Sequence, residues 1–226
     1  VIVTNDFQTD LDTLKDTFQS ITAESCPHTY NFHLHTHHSD GQLRPQQLIQ
    51  QAIEFDLKSL AITDHHSVDG YWLALDILQS HSQEGSQPLP HLWTGIEITS
   101  ILLETQVHIL GFGFDPNHPV LHPYLQGSAP EGDLADAAQV ILALHQAGGL
   151  AVLAHPARYR RSTKELVVAA VQGGIDGVET FYCYGNKDPW QPSPAQTKAL
   201  IQLASQYGLL QTCGTDTHGL DIRRRL

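Results

Sequence analysis

Short apolar, β-branched runs alternate along the chain with stretches whose apolar positions recur every three to four residues. That is the pattern of repeated strand–helix units. It predicts strands at 30–35 (YNFHLH), 59–64 (SLAITD), 92–98 (LWTGIEI), 107–114 (VHILGFGF), 149–154 (GLAVLA), 176–182 (DGVETFY) and 209–213 (LLQTC). Helices fit 45–56, 69–81, 133–146, 163–172 and 194–207. Pro45 and Pro194 suit a first helical turn, Ser162 with Glu165 reads as a helix start, and the glycine pairs 148–149 and 173–174 read as stops. Too little chain separates Glu97 from Val107 for a crossover helix, so the third and fourth strands are expected to form a hairpin. An amphipathic segment, 9–23, is expected as a helix closing one end of an α/β barrel. Residues 1–29 then form a helical extension and 30–226 one globular barrel domain, with 115–132 a loop over one face.

Composition narrows the class. The 226 residues are 41% hydrophobic and 16% charged, ordinary for a chain that buries a sizeable core. No run reaches the roughly 18 apolar residues of a membrane span, and "VIVTNDFQTD" lacks the basic start of a secretory signal. Three scattered cysteines, Cys26, Cys183 and Cys213, form no disulfide framework, which points to the cytoplasm. A chain without methionine is not expected to begin at its translation start. A formal charge of −12 argues against a surface that tracks a long nucleic-acid duplex. Fifteen histidines outnumber the twelve lysines and arginines, and their positions carry the chemistry.

His33 and His35 lie two apart on the first strand and so share a face; Asp40 follows in "SDG". His65 follows the second strand, Glu97 ends the third, and His108 opens the next. His155 follows the fifth, and Asp216 and His218 follow the seventh in "GTDTHG". All nine fall at or beyond strand ends, and in a β/α barrel the loops there converge on one mouth. Imidazoles mixed with carboxylates suit Zn²⁺, Mn²⁺ or Fe²⁺ and are too nitrogen-rich for Ca²⁺ or Mg²⁺. An open catalytic ion takes about three protein ligands, so these donors suffice for two or three ions. His81, His91, His118, His122 and His145 read as ordinary hydrogen-bonded residues, and His37, His38 and His66 as neighbours of ligands that face elsewhere.

The motifs "FHLHTHHSDG", "LAITDHHSVDG", "GIEIT…VHILGFGFD", "LAVLAHPAR", "GIDGVET" and "GTDTHG" resemble, in order, those of the PHP (polymerase and histidinol phosphatase) superfamily. The likeness is greatest to its stand-alone phosphoesterases and spans roughly residues 30–219. It implies a distorted (β/α)7 TIM-like barrel with a trinuclear metal cluster at the C-terminal face of the strands. By position, His33, His35, Glu97 and Asp216 would hold one ion. Glu97 would bridge to a second held by His108 and His155, and Asp40, His65 and His218 would hold a third. One departure stands out: many such relatives carry an inserted subdomain between the positions of His108 and His155, and here that segment is short. Substrate identity therefore does not follow from the resemblance.

Clustered divalent ions lower the pKa of a bound water and clamp phosphoryl oxygens as charge builds on them. The expected activity is phosphate ester hydrolysis, mono- or diesterase, on a small nucleotide, a short oligonucleotide such as single-stranded RNA, or a phosphorylated metabolite. Glu97 and Asp216 would carry it with the ions, and Arg158 in "HPARYRR" would bind phosphate. His66 is a candidate acid for the leaving oxygen, and Asp64 is expected to orient an imidazole. Tyr182, Tyr184 and Trp190 follow the sixth strand and are expected to pack in the interior or anchor a loop, with stacking a base or lining a pocket as the alternative. Two other readings stand beside this one. An amidohydrolase-like C–N hydrolase would call for a carbamylated lysine where Glu97 stands. A non-catalytic metal-binding module sits poorly with a full set of ligands.

Overall fold

In the computed structural model, which describes residues 7–84 and 88–226, the strands divide between two sheets. The first is short and parallel, in the order β1 (Tyr30–Asn31), β2 (Ser59–Ala61), β3 (His91–Trp93). The second runs β4 (Gly95–Leu102), β5 (Thr105–Phe112), β6 (Leu150–Leu153), β7 (Gly177–Phe181), β8 (Leu210–Cys213). β5 is antiparallel to both neighbours, and β6, β7 and β8 are parallel. The strand expected at 92–98 is thus two strands. Thr94 breaks it, its hydroxyl donating to the Phe114 carbonyl at 2.9 Å, and a side chain at Gly95 would collide with the Ile62 carbonyl. The chain bends there and crosses from one sheet to the other.

The expected hairpin is present as β4–β5, in continuous register from Gly95↔Phe112 to Leu102↔Thr105. Its two turn residues, Leu103 and Glu104, both have positive φ (49° and 58°), as a two-residue hairpin turn of matching twist requires. The first strand is shorter than the sequence suggests, because its continuation pairs across the gap between sheets instead. Phe32 N donates to Cys213 O (3.0 Å), Asp216 N to His33 O (2.8 Å) and His35 N to Thr217 O (3.2 Å). On the other side, Glu97 N donates to Asp64 O and His66 N to Glu97 O, both at 3.2 Å. Both seams run through residues singled out above as candidate ligands.

Helices α2 (Pro45–Glu54), α3 (Asp69–Glu84), α4 (Ala137–Gln146), α5 (Thr163–Gln172) and α6 (Pro194–Tyr207) follow the predicted segments closely. Pro45 and Pro194 open their helices; Ser162 sits at the cap position of α5 without a capping side-chain bond. The start of the segment expected at 133–146 is a 3₁₀ turn, because Asp136 caps α4 by accepting from Ala138 N. Val140, Ile141 and Leu144 of α4 bury against Ile96, Ile98 and Ile109 of the hairpin. The N-terminal helix, α1 (Phe7–Gln19), begins and ends earlier than the predicted 9–23. Leu14 and Phe18, one turn apart, are buried among Phe32, Phe112 and Leu150, and the Phe18 ring meets those of Phe32 and Phe112 edge-on at 5.0 and 5.5 Å. Burying each such side chain is worth about 1.5–3 kcal/mol, and the cluster anchors the strand that continues into His33.

Candidate metal centre

Glu97, on β4, is almost fully buried and faces five imidazoles. Its Oε1 lies 2.6 Å from His108 Nδ1 and 3.2 Å from His155 Nε2. Its Oε2 lies 3.0 Å from both His33 Nε2 and His35 Nε2, and 3.6 Å from His65 Nε2. His33 and His35 reach it together because extended backbone points both to one face, while Leu34 between them packs into the core behind. Gly214 allows the close approach of the opposing segment, since a Cβ there would strike the His33 backbone and Cβ.

Asp216 divides its two oxygens between different surroundings. Oδ1 faces the histidines, 3.4 Å from His33 Nε2 and 3.3 Å from His35 Nε2. Oδ2 accepts from Tyr182 Oη (2.6 Å), Arg158 Nη1 (2.9 Å) and Arg225 Nε (2.9 Å). A third cluster lies at the more exposed edge. Asp40 Oδ2 is 3.1 Å from His218 Nε2 and 3.7 Å from His65 Nε2, and Asp40 Oδ1 is 3.5 Å from His35 Nδ1.

The donors therefore fall into overlapping groups whose ligand atoms lie within 4.8 Å of one another: His33, His35, Glu97 and Asp216; His65, Glu97 and His108; His35, Asp40, His65 and His218; and His33, His155 and Glu179. All nine sequence candidates are brought together. The first and third groups contain the ligand sets inferred for the first and third ions. The expected second set is present only around Glu97 Oε1, where His108 and His155 meet. Three residues of the site adopt positive φ: His66 (53°), His155 (27°) and Asp216 (54°). Such backbone costs about 1–3 kcal/mol per residue and persists where the surroundings over-determine it.

The electrostatics favour bound cations. Burial pushes the Glu97 and Asp216 carboxyls up, yet the surrounding histidines hold both well below the usual carboxylate range. Burial likewise opposes charge on His33 and His35, but the neighbouring carboxylates outweigh it, raising His33 well above its ordinary value and His35 to about 9. His65 goes the other way: burial lowers it to about 4 against the pull of Glu97. The His35 Nε2 atom is buried, makes no hydrogen bond, and yet sits 3.0 and 3.3 Å from two carboxylate oxygens. A buried imidazole nitrogen beside two carboxylate oxygens, without hydrogen-bond geometry, is an arrangement that a shared metal ion would satisfy once the ring is deprotonated. The donor set fits divalent ions.

Two residues of the site escaped the sequence reading. Glu179 on β7 is fully buried, with Oε1 2.8 Å from His33 Nδ1 and Oε2 accepting from the His155 backbone amide at 2.7 Å. This is the carboxylate-to-imidazole support that fixes a ligating histidine's orientation. Its signal was an acid in the interior of the predicted strand "DGVETFY". Arg225 was hidden in a run of three arginines.

Asp64 corrects an expectation. It orients no imidazole directly but accepts from Thr36 N (2.7 Å), Thr36 Oγ1 (2.6 Å) and Ser39 Oγ (2.7 Å), fixing the loop that leads to Asp40. His66 is buried beside the cluster rather than within it, its Nε2 3.1 Å from Thr99 Oγ1. Tyr182 is buried and spends its hydroxyl on Asp216, so it positions that residue and does not stack a base. Tyr184 Oη accepts from Ala157 N at 3.3 Å, a loop anchor, and Trp190 is also buried. His145 pairs with Asp176 at 2.7 Å, away from the centre.

Residues 31–176 match the model of the PHP domain. The chain is 26% identical to the 5′-3′ exoribonuclease Rnm of Escherichia coli K12, over 84% of this chain and 85% of the relative. That alignment runs over 260 positions, more than this chain contains, so the relative has segments with no counterpart here. Over 118 residues the chain is 32% identical to the 3′,5′-nucleoside bisphosphate phosphatase of Chromobacterium violaceum, covering 52% of this chain and 39% of the relative. Among solved structures, a Bifidobacterium adolescentis protein provisionally assigned as a metal-dependent phosphoesterase superposes with a TM-score of 0.68 at 23% identity, over 85% of this chain and 88% of that one.

Proposed function

The chain belongs to the PHP domain family, and from that premise we propose that it hydrolyses phosphate esters with divalent ions held by the cluster around Glu97. The observation that carries this reading is the Glu97 carboxylate shared among five imidazoles, with Asp216 closing the same group. The two seams of backbone hydrogen bonds support reading the paired sheets as a distorted barrel of the (β/α)7 type, with the cluster at its mouth. In that reading residues 1–29 are a helical extension packed on a single domain formed by 30–226. Two to three ions of Zn²⁺, Mn²⁺ or Fe²⁺ suit the nitrogen-rich donors. No helix among the described residues is long and apolar enough to cross a membrane, and three buried thiols, none in a disulfide, support the cytoplasm as the compartment.

The residues divide the work. His33, His35, Glu97 and Asp216 would hold one ion, Glu97, His108 and His155 a second, and Asp40, His65 and His218 a third. Bound there, divalent ions supply an activated water near neutral pH and neutralise charge on the phosphoryl oxygens. Arg158 spends Nη1 on Asp216 and keeps a side chain 39% exposed, so the rest of its fork can receive a phosphate oxygen. Tyr182 holds Asp216 from behind, leaving Oδ1 turned to the cluster. His66 can serve as the leaving-group acid only by turning away from Thr99, which makes it the weakest of the proposed participants.

The substrate we propose is a nucleotide or short single-stranded oligonucleotide, in line with an exoribonuclease and a bisphosphate phosphatase among the relatives. The C–N hydrolase reading calls for a carbamylated lysine at the shared position, and there the imidazoles meet the Glu97 carboxylate instead. A panel of nucleoside 3′,5′-bisphosphates, short 5′-phosphorylated RNAs, sugar phosphates and N-acyl amides separates the readings. Phosphate or nucleotide release from the first two groups supports the proposal. Turnover of amides alone would overturn it.

A further inference from the structure

Arg223, Arg224 and Arg225 are consecutive, but only one turns into the site. Arg223 pairs with Asp221 at 2.9 Å and covers the Phe55 ring, and Arg224 pairs with Asp188 at 2.8 Å. Arg225 places Nε 2.9 Å from Asp216 Oδ2, the oxygen that Arg158 Nη1 also reaches at 2.9 Å. One carboxylate oxygen thus faces two guanidinium groups and a tyrosine hydroxyl, while the other oxygen of Asp216 serves the histidine cluster. Neutralising Asp216 takes one cation, and the second is surplus. Each guanidinium commits one edge to this oxygen, and a planar fork with free N–H groups matches the spacing of phosphate oxygens.

The backbone around Arg225 is held as firmly as the site itself. Its carbonyl accepts from the amides of His218 (2.6 Å) and Gly219 (3.1 Å), and Thr217 Oγ1 donates to the neighbouring Arg224 carbonyl at 2.8 Å. Three residues earlier Ile222 is fully buried, and its carbonyl accepts from Asn31 Nδ2 and Thr215 Oγ1, both at 2.8 Å. Little ordering remains to be done when an anion arrives, which is how preorganisation favours binding. In a chain with a net charge of −12, a fixed pair of cations beside the cluster also sets where an anion can approach.

We infer that Arg225 and Arg158 form a two-guanidinium clamp for a phosphate group of the substrate, with Arg225 a binding residue and not only a support for Asp216. The inference rests on the phosphoesterase reading above and deepens it. The clamped phosphate is either the one being hydrolysed or its neighbour.

The test compares the metal-loaded wild type with Arg225→Gln, Arg225→Lys and, as a control outside the site, Arg224→Gln. KM and kcat are measured on a nucleoside monophosphate and on a nucleoside 3′,5′-bisphosphate, with inhibition by inorganic phosphate, bound metal by elemental analysis, and phosphate binding by calorimetry. R225Q should raise KM and the phosphate inhibition constant about tenfold with bound metal unchanged, R225K should fall between, and R224Q should match wild type. Equal loss on both substrates assigns the clamp to the scissile phosphate, and loss on the bisphosphate alone assigns it to the neighbouring one. Unchanged KM and phosphate affinity in R225Q, or a KM that rises only as metal is lost, overturns the clamp. Should R225Q not fold, R225K decides alone: wild-type phosphate affinity in it overturns the inference. If wild type releases no phosphate at all, the functional reading fails, while calorimetry with inorganic phosphate still tests the clamp separately.

Discussion

Glu179 and His33 are joined inside the protein: Glu179 Oε1 lies 2.8 Å from His33 Nδ1, and both side chains are fully buried. The same carboxylate accepts from the His155 amide through its second oxygen, so one residue fixes two candidate ligands. Glu179→Gln keeps the size but weakens the pull on the His33 ring. It should lower metal affinity by about 10- to 100-fold, as loss of an imidazole's supporting carboxylate does. Metal titration of the chelated variant, alongside its circular dichroism, measures this; wild-type affinity would show that Glu179 serves only the fold.

Among the described residues, Glu97 is the one carboxylate that belongs to two of the ligand groups. Glu97→Ala should remove turnover and at least one equivalent of bound metal together, because His33, His35, His108 and His155 lose their shared partner. Elemental analysis paired with phosphate release checks it. A fully active variant would remove Glu97 from the mechanism.

The site also makes a prediction about pH. In chelated protein, burial opposes charge on His35, but Asp216 and Glu97 raise its pKa from the ordinary 6.5 to about 9, and His33 is raised as well. A raised folded-state pKa stabilises fully below about 6.5 and less and less as pH climbs through about 9. The melting temperature of chelated protein should therefore fall across that interval. Metal-loaded protein should hold its stability there, since the ions replace those protons, and metal uptake should strengthen as pH rises. Differential scanning calorimetry at several pH values, with and without chelator, reads both.

The aromatic contact between α1 and the strands can be tested apart from the chemistry. Phe18→Ala removes a ring packed edge-on against Phe32 and Phe112 and should cost about 3–5 kcal/mol. Urea unfolding measures it. A cost below about 1 kcal/mol, well under the usual range for a buried phenylalanine, would mean that α1 is dispensable to the fold.

The candidate ligands that the structure brings together were legible in the sequence because strand ends are local features: a histidine two residues from another, or an acid before a glycine, carries its geometry with it. The hairpin was legible for the same reason, from the shortness of the link between Glu97 and Val107. What was not legible depends on distant chain. Glu179 meets His33 across 146 residues of sequence, and Arg225 is told apart from Arg223 and Arg224 only by which carboxylate each one finds. The break at Thr94 needs knowledge of the Phe114 carbonyl, and Asp64 looked like an imidazole partner only because His65 follows it. Its true partners, Thr36 and Ser39, lie on the loop of the preceding strand.

The most direct measurement of the central claim is phosphate release from a nucleoside 3′,5′-bisphosphate as chelated protein is titrated with Mn²⁺. Release should be absent without metal, rise with added ions, and level off at two to three equivalents per chain. Equal release from chelated protein, or none at any metal loading, would contradict a phosphoesterase built on the Glu97 cluster.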